Sequence, residues 1–467
     1  MAFIGREKEI NKINRIINKE SLSLSLIYGR RRVGKSELIK HILLNNDIRS
    51  IYYEAKQTTE SNNVQSISTI ISDVLNMPKL AFNDFEDVAS YLCEISKEES
   101  LILVIDEYPY LRENIKGLDS IFQTIIDKYR DISKIKIIIL GSYVDVMKNL
   151  LEHSNPLFGR VDLTINLKPM DYYESSLFYP SFSLEDKVRL YSVFGGIPYY
   201  NQLIDETKTV KENIIDLIAS NDARLENEIT MYLKSEISKM VNANETFEAL
   251  ARGFSKYSDI LSQSKVSSGS TLIDILNKLI RMEVVEKAVP INDKTNSKSS
   301  YYISDNLSSF YYRYIFRYLS QMKIMDSDIF YEKYIEKDFE ELYVPHKFEQ
   351  IAKEYLIRKN LKGEINPLIE KIGKYYYNDP KKHKNGEFDV VTYDENGYAF
   401  YEVKFKSKPL SKSEIIKEIS KVNETGVTCY KYVFVTRNGI DMDVLNNDEY
   451  LIEHISLSDI YGQGGKL

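Results

Sequence analysis

The chain has 467 residues, a formal net charge of −7 and a pI near 5.6, so no overall basic field attracts nucleic acid. This length is enough for about two to four domains. Cys93 and Cys429 stand far apart, which excludes a disulfide framework and a cysteine-rich metal site and fits a reducing cytoplasm. No apolar run approaches the roughly 18 residues of a membrane span, and the N-terminal residues do not form a signal peptide. We therefore expect a cytoplasmic protein that does not bind membranes.

A glycine-bounded turn follows an apolar strand near the N-terminus. Within Ser23–Leu38, the residues GRRRVGKS satisfy the pattern G-x-x-x-x-G-K-[ST] and lead into a predicted helix, Ser36–Leu44. In this pattern the glycines let backbone N–H groups surround phosphate, the lysine neutralises the β- and γ-phosphates, and the serine holds Mg²⁺. An incidental turn is the alternative, which the strand–turn–helix context disfavours. The predicted nucleotide contacts are Gly29, Arg30, Arg31, Arg32, Val33, Gly34, Lys35, Ser36 and Glu37.

Strands and helices alternate after this loop. We predict strands at Ser50–Glu54 and Leu101–Asp106 and a helix around Glu86–Lys97, a pattern typical of a doubly wound α/β domain. The continuous apolar run that ends at Asp106 suits a strand buried on both faces, with ligands at its carboxyl end. There Asp106 would hold the Mg²⁺ shell and Glu107 would polarise the attacking water. A simple helix cap is the alternative for these two carboxylates.

Further positions complete the predicted nucleotide site. Ser142 ends the apolar strand Lys136–Ser142, where a sensor of the γ-phosphate would lie. Arg160 follows in a loop containing Pro and Gly, and would either stabilise the transferring phosphate, in its own site or a neighbouring subunit's, or have a structural role. Gly5 and Arg6 precede a helical stripe of isoleucines, so this turn would either contact adenine or simply begin the helix.

Several short segments together resemble the archaeal-type ATPase family, which is related to AAA+ and signalling NTPases. They are FIGRE at Phe3–Glu7, DEYPYL at Asp106–Leu111, LGS at Leu140–Ser142, PLFGR at Pro156–Arg160 and GGIPYY at Gly195–Tyr200. The resemblance is specific because these segments arrive in order along about the first 230 residues. It implies an additional-strand P-loop core, ATP rather than GTP as the nucleotide, and a small helical lid that contains GGIPYY.

The region Glu245–Ile303 has a different pattern. Two short helical segments precede the amphipathic helix Ser268–Arg281, and a predicted hairpin of Glu283–Val289 and Ser300–Ile303 follows it. Three helices and a hairpin are typical of a winged helix-turn-helix. The polar face of the third helix is only weakly basic, so DNA contact and a structural or protein-contact role both stay open. The aromatic helix Phe310–Met325 that follows is predicted to form core rather than a base-stacking surface, because its apolar residues dominate.

The last part of the chain combines an amphipathic helix, Pro345–Leu356, with a charged hairpin around an Asn-Gly turn. By strict alternation, Glu387 and Asp389 share one face of the first strand, while Phe388 and Val390 share the other. On the return strand Glu402, Lys404 and Lys406 share a face. The alternation therefore predicts carboxylates and a lysine gathered on one side of a sheet.

Such a group is equipped for Mg²⁺-dependent phosphodiester cleavage. Asp389 and Glu402 would bind the metal, and Lys404 would orient water or steady developing charge. The spacing D-x₁₂-E-V-K resembles the restriction-endonuclease-like PD-(D/E)XK fold, with Glu349 as a helix-borne metal ligand and without the usual proline before Asp389. This domain is often fused to archaeal-type ATPases. The alternatives are a solvated hairpin with cross-strand ion pairs and a degenerate nuclease kept as a scaffold.

We therefore predict an α/β additional-strand P-loop NTPase core with a helical lid, a winged helix-turn-helix and a C-terminal α/β restriction-endonuclease-like domain. The predicted boundaries are 1–170 for the ATPase core, 171–237 for the lid, 238–305 for the winged helix, 306–340 for a helical linker and 341–467 for the nuclease-like domain. The expected function is an ATP-hydrolysing switch that controls the attached DNA nuclease. The alternative is a signalling ATPase that binds DNA or protein through the winged helix and an inactive nuclease fold. Expected cofactors are ATP and Mg²⁺, and expected partners are DNA, a regulatory protein and further copies of the chain.

Overall fold

The computed structural model describes residues 3–226, 228, 242–379, 384–444 and 450–462. The chain divides into two units, Met1–Pro169 with Ile197–Tyr199, and Met170–Gly196 with Tyr200–Leu467. The division therefore falls inside GGIPYY, whose three central residues belong to the first unit. Residues 227 and 229–241, at the predicted boundary between lid and winged helix, lie outside the described residues.

The first unit is built on a parallel sheet, in which the described residues contribute five strands in the order β2-β3-β4-β1-β5. The strands are β1 Ser23–Tyr28, β2 Ser50–Glu54, β3 Ile102–Asp106, β4 Lys136–Gly141 and β5 Leu163–Asn166. Every residue of β1, β3 and β4 is buried, as expected where helices cover both faces of a parallel sheet. β4 lies between β1 and β3, which is the additional-strand order. The predicted α/β class and the strands β1 to β4 are confirmed, whereas β5 was not predicted.

The helices of this unit are α1 Glu7–Ile17, α2 Lys35–Leu44, α3 Glu60–Leu75, α4 Phe85–Ile95, α5 Tyr108–Asn114, α6 Leu118–Tyr129 and α7 Val144–Asn149. Apolar residues of α3 to α7 pack with the strands in one buried cluster. The carboxyl ends of β1 and β3 lead directly into the turns before α2 and α5. The fold thus places the phosphate-loop pattern and the Asp106-Glu107 pair at the same edge of the sheet.

The second unit begins with helices and contains a small hairpin. Its first helices are α8 Tyr172–Ser176, α9 Leu184–Phe194, α10 Pro198–Asn201, whose first two residues belong to the first unit, and α11 Val210–Ile214, which continues as a π-helical turn Ile215–Ala219. Then come α12 Ala243–Ala251, α13 Tyr257–Gln263, α14 Gly269–Arg281 and the antiparallel strands β6 Val285–Ala288 and β7 Ser300–Ile303. The predicted order of three helices and a hairpin is confirmed.

A helical stretch with irregular turns follows. It comprises α15 Asn306–Phe310, a π-helical turn Tyr311–Ile315, a 3₁₀ turn Phe316–Tyr318, α16 Leu319–Met322, α17 Ser327–Tyr331, the π-helical turns Glu332–Glu336 and Phe339–Tyr343, and α18 Val344–Leu361. Tyr311, Tyr312, Tyr314 and Ile315 are buried. The prediction that this aromatic stretch forms core rather than a base-stacking surface is confirmed.

The C-terminal part is a second sheet, in which the described residues form five strands in the order β12-β11-β10-β9-β8. Its elements are β8 Lys371–Asp379, β9 Lys384–Asp394, β10 Gly397–Lys404, α19 Lys412–Asn423, β11 Cys429–Thr436, a 3₁₀ turn Met442–Val444, β12 Ile452–Ser456 and α20 Leu457–Ile460. The β9–β10 pair is antiparallel, which confirms the predicted hairpin, and β10–β11–β12 run parallel. The strands β8 and β12 were not predicted.

The strand β9 contains an irregularity that moves its side chains. Gly373 of β8 pairs with Val391, whereas Tyr375 pairs with Phe388, so β9 has an extra residue between these pairs. A β-bulge of this kind interrupts the alternation of side chains. Phe388 and Val391 consequently pack in the same apolar cluster, and Val390 is buried outside it. The prediction that Phe388 and Val390 share a face was wrong, because strict alternation makes no allowance for a bulge.

A buried carboxyl group links α18 to helices α8 and α9 within the second unit. Glu354 accepts hydrogen bonds from the Tyr191 hydroxyl at 2.9 Å, the Tyr172 N–H at 3.1 Å and the Gln350 amide at 2.9 Å. Burial raises the pKa of Glu354 to about 7 despite these donors. Helices that the sequence assigned to the lid and to the C-terminal domain are therefore joined through one carboxyl group.

This burial makes stability depend on pH. A carboxyl whose pKa rises on folding stabilises the fold below its unfolded value of 4.5, and that contribution is lost as the pH rises through about 7. The loss is on the order of 3 kcal/mol. We expect Glu354→Gln, which stays neutral, to raise the thermal midpoint at pH 8 and to leave it nearly unchanged at pH 5. The exposed Glu341→Gln is the matched control, and equal shifts at both pH values would contradict the assignment.

Candidate functional site

The predicted phosphate loop connects β1 to α2 with a backbone that suits a ligand. Gly29 has no room for a side chain, because a Cβ there would lie 2.3 Å from the Leu167 carbonyl oxygen. Gly34 has φ +92° in the left-handed region that glycine adopts without strain, and it precedes the first residue of α2. The loop therefore ends at the N-terminus of a helix, where backbone N–H groups attract anions.

Lys35 is held inside this loop. The side chain is buried, and its ammonium group donates to the Gly29 and Arg30 carbonyl oxygens, both at 3.0 Å. Burial lowers the pKa of Lys35 to about 8, against the opposing pull of Glu107 and Asp106. A buried ammonium beside a helix N-terminus fits a ligand that carries several negative charges.

Asp106 at the end of β3 joins the two halves of the site. Its Oδ2 accepts a hydrogen bond from the Ser36 hydroxyl at 2.6 Å, and its Oδ1 accepts from the Glu107 N–H at 2.9 Å. The Tyr52 hydroxyl, from β2, also donates to Oδ2. The structure thus brings together Ser36 and Asp106, as the sequence predicted, and adds Tyr52, which sequence reasoning missed. Neither segment alone carries a signal for this contact, because it depends on the pairing of β2 with β3.

Glu107 is held by Ser142 at the adjacent strand end. The Ser142 hydroxyl donates to Glu107 Oε1 at 2.6 Å, and the Ser142 N–H donates to Oε2 at 3.3 Å. Glu107 itself has φ +53°, a left-handed conformation that costs energy for a residue with a side chain. Strained backbone conformations of this kind are concentrated at functional sites. Here the strained residue places its carboxylate against Ser142, the predicted γ-phosphate sensor.

Two other predicted contacts also have left-handed backbones. Arg6, with φ +65°, is buried and donates to the Val33 carbonyl oxygen at 3.2 Å, so the turn at Gly5 and Arg6 lies against the phosphate loop. Arg32, with φ +67°, places its guanidinium 3.9 Å from the centre of the Tyr199 ring. Of the remaining loop residues, Arg31 and Glu37 are exposed, whereas Arg30 and Val33 are buried.

Arg160 has local partners in the structure. Its guanidinium donates to Asp127 of α6 at 2.7 and 2.8 Å and to the Pro156 carbonyl oxygen at 3.0 Å. The ion pair lowers the pKa of Asp127 and raises that of Arg160. These contacts match the structural role that the sequence left open for this residue. A role in catalysis requires Arg160 to leave Asp127.

The charged residues of the β9–β10 hairpin are paired with lysines. Lys374 of β8 lies 2.9 Å from Asp389 and 3.2 Å from Glu387. Glu402 forms an ion pair with Lys404, two residues along the same strand. Burial raises the pKa of Glu402, and the neighbouring Lys404 opposes that rise. Each predicted metal-binding carboxylate of the hairpin thus has its own cation.

The predicted metal ligands are not assembled in the described part of the chain. Glu349 of α18 contacts His346 at 3.0 Å, and its charge helps Glu402 to raise the pKa of Lys404, so it lies near that ion pair. Among the residues with a described placement, no cluster of three or more His, Cys, Asp or Glu side chains could hold a metal ion. Lys374 contacts both Glu387 and Asp389, and Lys404 pairs with Glu402, so lysines occupy the places next to these carboxylates.

Comparison with known proteins places this architecture among archaeal ATPases. Residues 3–204 match an ATPase domain found predominantly in Archaea, and residues 311–419 match a domain of archaeal and bacterial proteins of unknown function. An uncharacterized Methanocaldococcus jannaschii protein, MJECL04, is 31% identical over 409 residues, which cover 86% of this chain and 88% of that protein.

Two further comparisons concern the ATPase part. The uncharacterized ATP-binding protein MJ0147 of the same organism is 25% identical over 279 residues, covering 48% of this chain and 75% of that protein. The structure of the Walker-type ATPase PABY2304 of Pyrococcus abyssi superimposes with a TM-score of 0.51 at 19% identity and covers 67% of this chain and 96% of that chain. This last likeness concerns the fold. In the described parts of the chain, no helix is long and apolar enough to cross a membrane.

The position of Lys35 generates a direct test of nucleotide binding. Charge-assisted hydrogen bonds contribute about 1.5–3 kcal/mol each, so Lys35→Ala should weaken ATP binding roughly 10- to 100-fold by calorimetry at pH 7. Because only the ammonium form binds phosphate, wild-type affinity should also fall as the pH rises above about 8. Lys40→Ala, which removes an exposed lysine from the same helix, is the control. Unchanged affinity in Lys35→Ala would move the site away from this loop.

Proposed function

We propose that this chain, which belongs to the same archaeal P-loop ATPase family as MJECL04, is a conformational switch that hydrolyses ATP. The observation that carries the proposal is the 2.6 Å hydrogen bond between Ser36 and Asp106, which joins the phosphate loop to the end of β3. Lys35, Glu107 and Ser142 lie around this bond at the same sheet edge. These are the groups that phosphoryl transfer requires for binding, metal placement and water activation.

The residues fit a magnesium ion. Mg²⁺ prefers oxygen ligands and usually binds through few protein groups together with nucleotide phosphates. The Ser36 hydroxyl and the Asp106 carboxylate supply such oxygens, and both would hold the ion. When bound, Mg²⁺ would neutralise charge on the β- and γ-phosphates. Lys35 would exchange its loop carbonyls for phosphate oxygens, and Glu107 would accept a hydrogen bond from the attacking water.

Ser142 gives Glu107 two alternative states. Its hydroxyl now donates to Glu107, and a single hydroxyl proton cannot serve a γ-phosphate at the same time. We infer that phosphate at Ser142 releases the Glu107 carboxylate toward water, whereas loss of phosphate restores the pair. The same contact would thereby keep Glu107 from activating water until a phosphate reaches Ser142. It would also report the nucleotide state to α5 and α7, which begin just after these two residues.

Glu107→Gln tests this assignment. An amide still fills the position but is a poor base, so ATP affinity should change by only a few-fold while turnover falls by about 10²-fold or more. Phosphate release and fluorescent-nucleotide titration measure the two quantities separately. The exposed Glu113→Gln on α5 is the matched control. Normal turnover in Glu107→Gln would place the water-activating residue elsewhere.

Arg160 enters this proposal as a group that acts in a neighbouring copy of the chain. Its ion pair with Asp127 is bidentate, and the two side chains are 26% and 51% exposed, so the guanidinium would have to exchange this carboxylate for phosphate. An arginine presented across a subunit boundary can stabilise transferring phosphate. Assembly of further copies of the chain would then be part of the switch.

The winged-helix-like region has a structural role in this proposal. The loop that joins β6 to β7 covers the outer edge of β8. The Ile291 N–H donates to the Lys374 carbonyl oxygen at 2.8 Å, and the Asn292 side chain both donates to and accepts from the Tyr376 backbone, at 2.7 and 3.1 Å. Lys256 of the same region pairs with Glu387 at 2.8 Å. A loop held in this way cannot contact DNA without leaving the sheet, and its contact within the chain supports the structural role that the sequence left open for this region.

A Mg²⁺-dependent DNA nuclease under the control of this switch is the second candidate function. It is favoured by the neighbouring Glu402 and Lys404 near the end of β10, in a mixed sheet with α19 packed against one face. Cleavage would require Asp389 to exchange Lys374 for a metal ion. Without that exchange the sheet is a scaffold, and the protein is the signalling ATPase of the alternative interpretation.

A matched pair of variants decides between these two functions. If the domain is a nuclease, Asp389→Asn should abolish Mg²⁺- or Mn²⁺-dependent cleavage of single- or double-stranded DNA, while ATP turnover stays intact. Glu387→Gln alters the other carboxylate that contacts Lys374 and should retain cleavage. If the wild-type protein cuts none of these substrates, with or without ATP, the scaffold interpretation is correct.

A further inference from the structure

Tyr52 lies beside the predicted magnesium site although no motif includes it. It stands on β2, which pairs in parallel with β3, and Tyr52 is opposite Val104 two residues before the strand end. From there its hydroxyl reaches Oδ2 of Asp106, the same oxygen that accepts the Ser36 hydroxyl. Two side chains, Ser36 and Tyr52, therefore donate to the carboxylate that joins the two halves of the site.

The two hydroxyl donors to Oδ2 differ in what a bound nucleotide would do to them. Ser36 would turn its oxygen toward the metal ion and give up its hydrogen bond to Asp106. Tyr52 is on a separate strand and would keep its hydrogen bond. The phenol O–H of Tyr52 is the donor in this hydrogen bond, and Asp106 Oδ2 is the acceptor.

We propose that Tyr52 is a positioning residue for magnesium, whose phenol holds the Asp106 carboxylate in one orientation while Ser36 changes partner. This inference rests on the proposed ATPase function. A carboxylate that is fixed by its neighbours binds metal more tightly than one that rotates, and loss of such an outer partner typically costs about 10- to 100-fold in metal affinity. Tyr52 contacts Asp106 rather than substrate and acts through it.

The adjacent tyrosine provides a matched control. Tyr53 is on the same strand with its side chain on the opposite face, where its hydroxyl donates to Asn63 Oδ1. That oxygen also accepts the Lys56 N–H at 3.1 Å, so it keeps a partner in Tyr53→Phe. Tyr52→Phe and Tyr53→Phe thus remove the same atom from neighbouring positions, and only the first removes a contact to Asp106.

The experiment titrates divalent metal into protein saturated with ATP, using Mn²⁺ paramagnetic resonance for binding and phosphate release for turnover with Mg²⁺. Tyr52→Phe should raise the half-saturating metal concentration about tenfold or more. ATP affinity measured in excess EDTA and the thermal midpoint without nucleotide should match those of Tyr53→Phe.

Two results would overturn the inference. Equal metal half-points in the two variants would show that Tyr52 does not act on the metal site. A loss of ATP affinity in EDTA as large as the loss of metal affinity would make its role structural. The proposed function fails separately, when wild-type protein shows no metal-stimulated binding or turnover of ATP.

Discussion

The Asp106 carboxylate is the point on which the ATPase site depends. It ends a fully buried strand and accepts hydrogen bonds from Ser36 of the phosphate loop, Tyr52 of β2 and the backbone N–H of Glu107. A buried charge is costly unless donors surround it, so these elements must converge for the fold to tolerate it. The donors that satisfy this charge also hold the carboxylate oxygens that the proposed Mg²⁺ ion would use.

Glu107, the residue next to Asp106, has a strained backbone and a side chain that is held in place. Glu107 takes a left-handed backbone conformation, and its side chain is held by Ser142 from the neighbouring strand end. Both features disfavour a free carboxylate in the unliganded site. In the proposed switch, a phosphate that competes for Ser142 would release Glu107, the residue that immediately precedes α5.

In the second unit, electrostatics work against the chemistry that sequence spacing suggests. Lys374 pairs with Asp389 and Glu387, Lys256 also pairs with Glu387, and Lys404 pairs with Glu402. Ion pairs stabilise carboxylates that would otherwise repel one another, so the same residues can serve as metal ligands or as a stable polar surface. The docking of Ile291 and Asn292 on the edge of β8 likewise protects backbone groups that an exposed strand would leave open.

The sequence by itself determined the features that local patterns encode. Gly29 to Ser36 predicted the phosphate loop, the apolar run before Asp106 predicted a buried strand, and Asn396-Gly397 predicted the hairpin, because short-range sterics and periodicity suffice for each. Only the tertiary structure decided which strands are neighbours and which side chains meet. Tyr52 reaches Asp106 through strand order, and Asp389 meets Lys374 through a bulge opposite β8. Such contacts depend on pairing between distant segments, and the register of that pairing cannot be predicted from either segment alone.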